Sequence, residues 1–146
     1  MRHLTTAARL LLGLGFTTFA LNYFVPFLPA QAPPPPEALG FLGAFAGSGF
    51  LTLVKVIELG AGLLLLSNRF VPLALTLLAP ILVGIAAFHI LLAPAGLGLV
   101  VVLLALELTL AWTYRAAFAP MLRARVEPAS VGTPTVRTSA PVTRAA

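Results

Sequence analysis

The feature that most constrains this chain is a set of four long apolar runs separated by short breaks rich in Pro, Gly, Ser and Asn. A bilayer's hydrocarbon core takes about 20 apolar residues per spanning helix, and the runs place spans near residues 7–28, 49–66, 70–92 and 97–114. Backbone polar groups in lipid must be satisfied within their own segment, so such runs become helices. The expected fold is all-α, an integral membrane four-helix bundle over residues 1–127. The break between the second and third runs is only Ser67-Asn68-Arg69, which calls for a tight antiparallel helical hairpin. Pro72 then falls in the first turn of the third helix, where its missing N–H costs nothing. Pro80 lies inside that helix and frees the Thr76 carbonyl, so a kink is expected there.

Charge agrees with the membrane class. Only 9% of residues are charged and the mean hydropathy is +1.04, against about 25% charged residues in soluble proteins. Arg2 and Arg9 precede or begin the first run, Arg69 sits in the second break, and Arg115, Arg123 and Arg125 follow the fourth run. The other two breaks carry neither Lys nor Arg. By the positive-inside rule both termini are expected in the cytoplasm. The net charge of +5 is spread over helix ends and the tail instead of one face, which excludes nucleic acid as a partner and leaves the lipid bilayer. With no cysteine, disulfides, thiolate catalysis and iron–sulfur ligation fall away, so redox work would need a bound cofactor or a partner protein.

The first run also has the outline of a signal peptide, ending in Ala30-Gln31-Ala32. It exceeds the usual h-region of about 7–15 residues, Pro33 would follow the cut, and the charge pattern needs an even number of crossings, so it is expected to stay as the first span. Beyond the stiff Pro-rich stretch at 33–36, Leu39, Leu42, Phe45 and Ala46 recur at helical spacing. That spacing predicts a short helix over 37–47, either on the outer surface or re-entrant. Residues 128–146, rich in Ser, Thr, Pro and Ala, are expected to form a disordered cytoplasmic tail.

Charges inside a span are expensive and tend to mark function or pairing. In the second run, 100° per residue places Ser48, Leu51, Lys55, Glu58, Gly62, Leu66 and Arg69 on one stripe, expected to face the bundle interior. Glu107 shares a face of the fourth helix with Val100, Leu103 and Tyr114, and His89 lies toward the outer end of the third. Gly15, Thr18 and Asn22 form a small-and-polar stripe on the first. A rise of about 1.5 Å per residue sets Glu58 and Glu107 near the midplane and Lys55, Asn22 and His89 further out, which suggests a pocket opening outward. The candidate binding set is therefore Asn22, Lys55, Glu58, His89 and Glu107, with Glu58, Glu107 and His89 as candidate proton-handling groups. Lys55 can neutralise one glutamate only, so either one carboxyl carries a proton or a charged His89 stands beside it. The competing reading makes Lys55–Glu58 an ion pair that only fixes packing. Two histidines, one of them His3 at the cytoplasmic end, cannot build a bis-His haem site, and no metal site or nucleotide-binding or hydrolase motif is present in the sequence.

The combination of Lys55, Glu58, the run GLLLLSNRFVPLALTLLAP, Phe88-His89 and LELTLAW at 106–112 resembles the DoxX family of membrane proteins, over roughly residues 9–125. The first run, LGLGFTTFALNYF, fits that family's first helix, Asn22 included. The resemblance implies a multi-pass protein of the bacterial cytoplasmic (inner) membrane. One branch is similar to the small subunit of thiosulfate:quinone oxidoreductase, and others are linked to membrane redox complexes. It thus implies a redox-associated subunit, a quinone as ligand, and redox partner proteins or a second copy as partners. A small proton or solute transport module and a structural or assembly subunit are the alternatives. Gly84 departs from the pattern, since family members tend to carry Asn there.

Overall fold

The computed structural model describes residues 2–29 and 33–125. The signal-like Ala30-Gln31-Ala32 and the tail expected at 128–146 lie outside the described residues. Six α-helices follow in order: α1 (Arg2–Phe24), α2 (Pro36–Gly47), α3 (Phe50–Leu66), α4 (Val71–Leu91), α5 (Leu97–Thr113) and the single turn α6 (Arg115–Phe118). Short 3-10 turns at Pro94–Gly96 and Ala119–Leu122 complete the described chain. Helix α1 packs on α3, α3 on α4, α4 on α5, and α5 back on α1, which closes a four-helix ring. Among the described residues, three helical stretches are long and apolar enough to cross a membrane: His3–Phe24, Val71–Leu91 and Pro94–Thr113. A fourth span arises if α2 and α3, bent by 82° at their junction, count together.

The ends of these helices explain the architecture. Helix α3 stops in a Schellman arrangement: Asn68 takes a φ of 56°, its N–H donates to the Leu65 carbonyl, and that of Arg69 donates to the Leu64 carbonyl. Asn tolerates that left-handed conformation better than most residues. The expected tight hairpin between α3 and α4 follows. Arg9, two turns into α1, reaches across and donates from Nη1 to the carbonyls of Leu65 and Leu66. A buried cation thus closes the negative end of the α3 dipole. At the opposite end the Tyr23 hydroxyl hydrogen-bonds Thr52 Oγ1 at 2.7 Å. Contacts from the start of α1 to the end of α3, and from the end of α1 to the start of α3, make the two helices antiparallel.

Helix α1 begins five residues earlier than the apolar run suggested and ends at Phe24, because Asn22 Oδ1 accepts the N–H groups of Phe27 and Leu28 and turns the chain out. Its contact with α3 runs through other residues than the Gly15–Thr18–Asn22 line. Gly13 and Thr17 press on α3, and a Cβ at Gly62 would stand 2.5 Å from Thr17 Oγ1 and 3.1 Å from the Gly13 carbonyl oxygen. Small residues here let two backbones touch. Leu12, Phe16, Leu65, Leu75, Leu78 and Leu110 fill the space between the four helices. The outside is apolar as well, with Leu14, Val56, Leu63, Val83, Val101 and Leu108 all more than half exposed.

Helix α2 starts with Pro36 at its first turn, where proline fits best. It ends at Ser48 and Gly49, and Gly49 has a φ of 75° that only glycine adopts without cost. The chain swings through 82° there, so α2 lies across the start of α3 and touches α4 through Phe41 and Phe88. This is the short helix expected from the sequence. Helix α4 runs through Pro80 without interruption.

The contact of α1 with α3 generates a test. Gly62→Val pushes a side chain into Thr17 and the Gly13 backbone, and overpacking of this kind costs about 1–3 kcal/mol. Thermal unfolding in detergent should show a clear fall in midpoint for Gly62→Val and little change for Gly60→Ala, where a Cβ meets nothing within 4 Å.

Candidate functional site

A cavity of about 900 Å³ lies under α2, between α3 and α4 and reaching α1 and α5. Helix α4 lines it with Leu77, Ile81, Ile85 and Phe88 and also with smaller groups. Thr76, Pro80 and Gly84, one turn apart each, present little bulk on the face that meets the cavity. A Cβ at Gly84 would touch nothing within 4 Å. The inner wall is formed by buried Phe16, Val100, Leu103 and Glu58. Leu53 and Leu77 line it too and are exposed on the outside of the bundle, so the cavity opens sideways along the α3–α4 seam.

Five aromatic rings bridge the roof. Phe50 of α3 meets Phe45 of α2 at 5.1 Å, Phe45 stacks on Phe41 at 5.6 Å, and Phe41 meets Phe88 of α4 at 5.8 Å. Phe88 in turn sets its edge against His89 at 5.2 Å. Helix α2 is thereby tied to both walls through ring contacts, with no polar bond between it and α4 among the described residues.

The polar groups enter from α3 and α4. Lys55 Nζ lies 2.7 Å from Glu58 Oε2, one turn along the same helix. Glu58 is only 2% exposed and Lys55 20%, so the pair is a buried anchor with a cation turned toward the open space. Lys55 has two further donor hydrogens beyond the one that Glu58 takes. His89 Nδ1 is 2.9 Å from the Ile85 carbonyl oxygen. A carbonyl only accepts, so Nδ1 donates, and in the neutral ring Nε2 is left as the acceptor. The ring's other edge lies against Gly96, where an added Cβ would fall 2.2 Å from Nε2 and 2.0 Å from Cδ2. Gly96 is glycine because the imidazole fills that space.

Of the five residues expected to share one pocket, Lys55, Glu58 and His89 line this cavity, and Asn22 and Glu107 do not. Asn22 is engaged in ending α1. Glu107 is buried on α5 beside Leu103 and Leu110, in the half nearer the arginine-bearing end, and its Oε2 has no hydrogen-bond partner among the described residues. Thr17 Oγ1 is likewise buried and unpartnered. No cluster of three or more potential metal ligands occurs among the described residues.

Two contributors are not evident from the sequence. Arg9 reads as an orienting charge, and only the pairing of α1 with α3 reveals it as the cap of α3. Gly96 reads as part of a helix break, and its role depends on where His89 folds. The aromatic roof does have a signal, since Phe41 and Phe45 recur at i and i+4. Comparisons with protein-family models, curated proteins and solved structures find no match for this chain.

The ion pair makes a double-substitution test available. Lys55→Met leaves the Glu58 charge buried without its partner, which costs about 3–5 kcal/mol for such pairs. Replacing both, as Lys55→Met with Glu58→Leu, removes the charge altogether. Unfolding in detergent should show the single variant markedly less stable than the double one.

Proposed function

We propose that this chain is a DoxX-like protein of the bacterial cytoplasmic membrane and acts as a redox-associated subunit whose cavity receives a quinone or a similar lipid-soluble ring. In this reading the bundle crosses the bilayer four times, with both termini inside. The gathering of Arg9, Arg69, Arg115, Arg123 and Arg125 at one end of the bundle supports that orientation. The apolar outer surface supports insertion, because soluble monomers rarely expose so many contiguous large apolar side chains.

The observation that carries the ligand reading is the cavity itself. It is walled by phenylalanines and aliphatic side chains, open toward lipid along α3 and α4, and holds Lys55 and His89 as its convergent polar groups. Apolar pockets with a few placed polar groups are the usual form of a small-molecule site. Planar rings pack on the faces and edges of Phe16, Phe45 and Phe88, and a carbonyl oxygen can take a hydrogen bond from Lys55. Such a ligand arrives by diffusion in the membrane and leaves the same way. A cysteine-free chain holds no thiolate-ligated redox centre of its own, so electrons would pass between the bound ring and a partner subunit.

Solvent extraction of the purified protein, followed by absorbance and mass spectrometry, tests this directly. The expected result is a lipid-soluble quinone in reproducible proportion to protein, lost on filling the cavity with Gly84→Leu. A reproducible absence of quinone, together with failure to bind added short-chain analogues, would overturn the reading.

A further inference from the structure

We infer that the cavity selects the hydroxylated, reduced form of a lipophilic aromatic ring over its dicarbonyl form, with His89 as the residue that discriminates. The inference rests on the cavity being the binding site and adds which chemical state it holds.

Four polar side chains line the cavity: Glu58 is held by Lys55, Thr76 donates to the Pro72 carbonyl, and the remaining two, Lys55 and His89, have opposite hydrogen-bonding sense. Lys55 has spare N–H donors and no acceptor. His89 spends its Nδ1 hydrogen on the Ile85 carbonyl, so in the neutral ring its remaining nitrogen presents a lone pair. Nε2 has no partner among the described residues, and its edge of the ring lies at Gly96, also on the cavity wall. A ring with an oxygen acceptor at one edge and a hydroxyl at the other satisfies both groups. A ring with two carbonyl oxygens satisfies Lys55 and sets a lone pair against the lone pair of Nε2. Discrimination of this kind comes as much from the repulsive contact as from the attractive one.

The spacing fits a ligand that reaches from one group to the other. Counted from the 67–70 turn, His89 lies roughly seven residues further from the hairpin than Lys55, or about 10 Å along the bundle at the rise of an α-helix. That leaves room for a six-membered ring with oxygens on opposite edges and a hydrogen bond at each end. The apolar tail then leaves along Leu53 and Leu77 toward lipid. The tautomer is held by the fold: helix α4 supplies the Ile85 carbonyl one turn before His89, and Gly96 supplies the space.

Binding of tritiated decyl-benzohydroquinone and of the matching decyl-benzoquinone to the protein in lipid nanodiscs, without oxygen, tests the inference. One hydrogen bond in place of one repulsion should favour the hydroquinone about tenfold. His89→Phe should remove that preference by weakening the hydroquinone and relieving the quinone, and Lys55→Met combined with Glu58→Leu, which leaves no unpaired buried charge, should weaken both forms alike. Equal or tighter binding of the quinone to the unsubstituted protein would overturn the inference and leave the cavity reading standing. Failure of both probes to bind would overturn the reading beneath it. A preference that survives His89→Phe would overturn the assignment of His89.

Discussion

The constraint that the cavity is built around is a buried charge, Glu58, paired with Lys55 on its own helix. A carboxylate 2% exposed inside an apolar bundle needs a partner, and a lysine one turn earlier on the same helix supplies it at 2.7 Å. Because both charges lie on one helix, their pairing does not hold α3 to its neighbours. That task falls to Gly13, Thr17 and Gly62 between α1 and α3, and to Arg9 closing the end of α3. The separation leaves α3 and α4 free to part above their hairpin. The cavity occupies the gap.

Around that gap each helix contributes according to its local chemistry. Thr76, Pro80 and Gly84 thin one face of α4, and the positive φ of Gly49 turns α2 across the top. Ring contacts from Phe50 through Phe45 and Phe41 to Phe88 hold the roof by dispersion and edge interactions alone. Such a roof can be displaced without breaking a hydrogen bond between α2 and α4.

Much of the fold was legible in the sequence, because apolar length and the Ser67-Asn68-Arg69 break leave few arrangements open. The expected helices over 49–66, 70–92 and 97–114 match α3, α4 and α5 within a few residues, and the face of α5 holding Val100, Leu103 and Glu107 is buried as its periodicity required. The candidate site was legible in part. Lys55 and Glu58 announce themselves by their cost, and His89 by its place at the end of α4. Grouping them with Asn22 and Glu107 used depth alone, and depth says nothing about which side of a helix meets which neighbour. Asn22 follows local turn chemistry instead, and Glu107 faces a different part of the interior. Arg9 escaped for the same reason, since its partners are carbonyls roughly 56 residues away in sequence.

The central claim is that a lipid-soluble ring enters between α3 and α4 and lodges beside Lys55. Photolabelling in nanodiscs with an azido-substituted decyl-benzoquinone, followed by digestion and mass spectrometry, tests it most directly. The account predicts adducts on residues 53–57 of α3 and 80–85 of α4, suppressed by excess unlabelled compound. Adducts confined to outward residues such as Val101 and Leu108 of α5, or labelling that excess compound leaves unchanged, would contradict it.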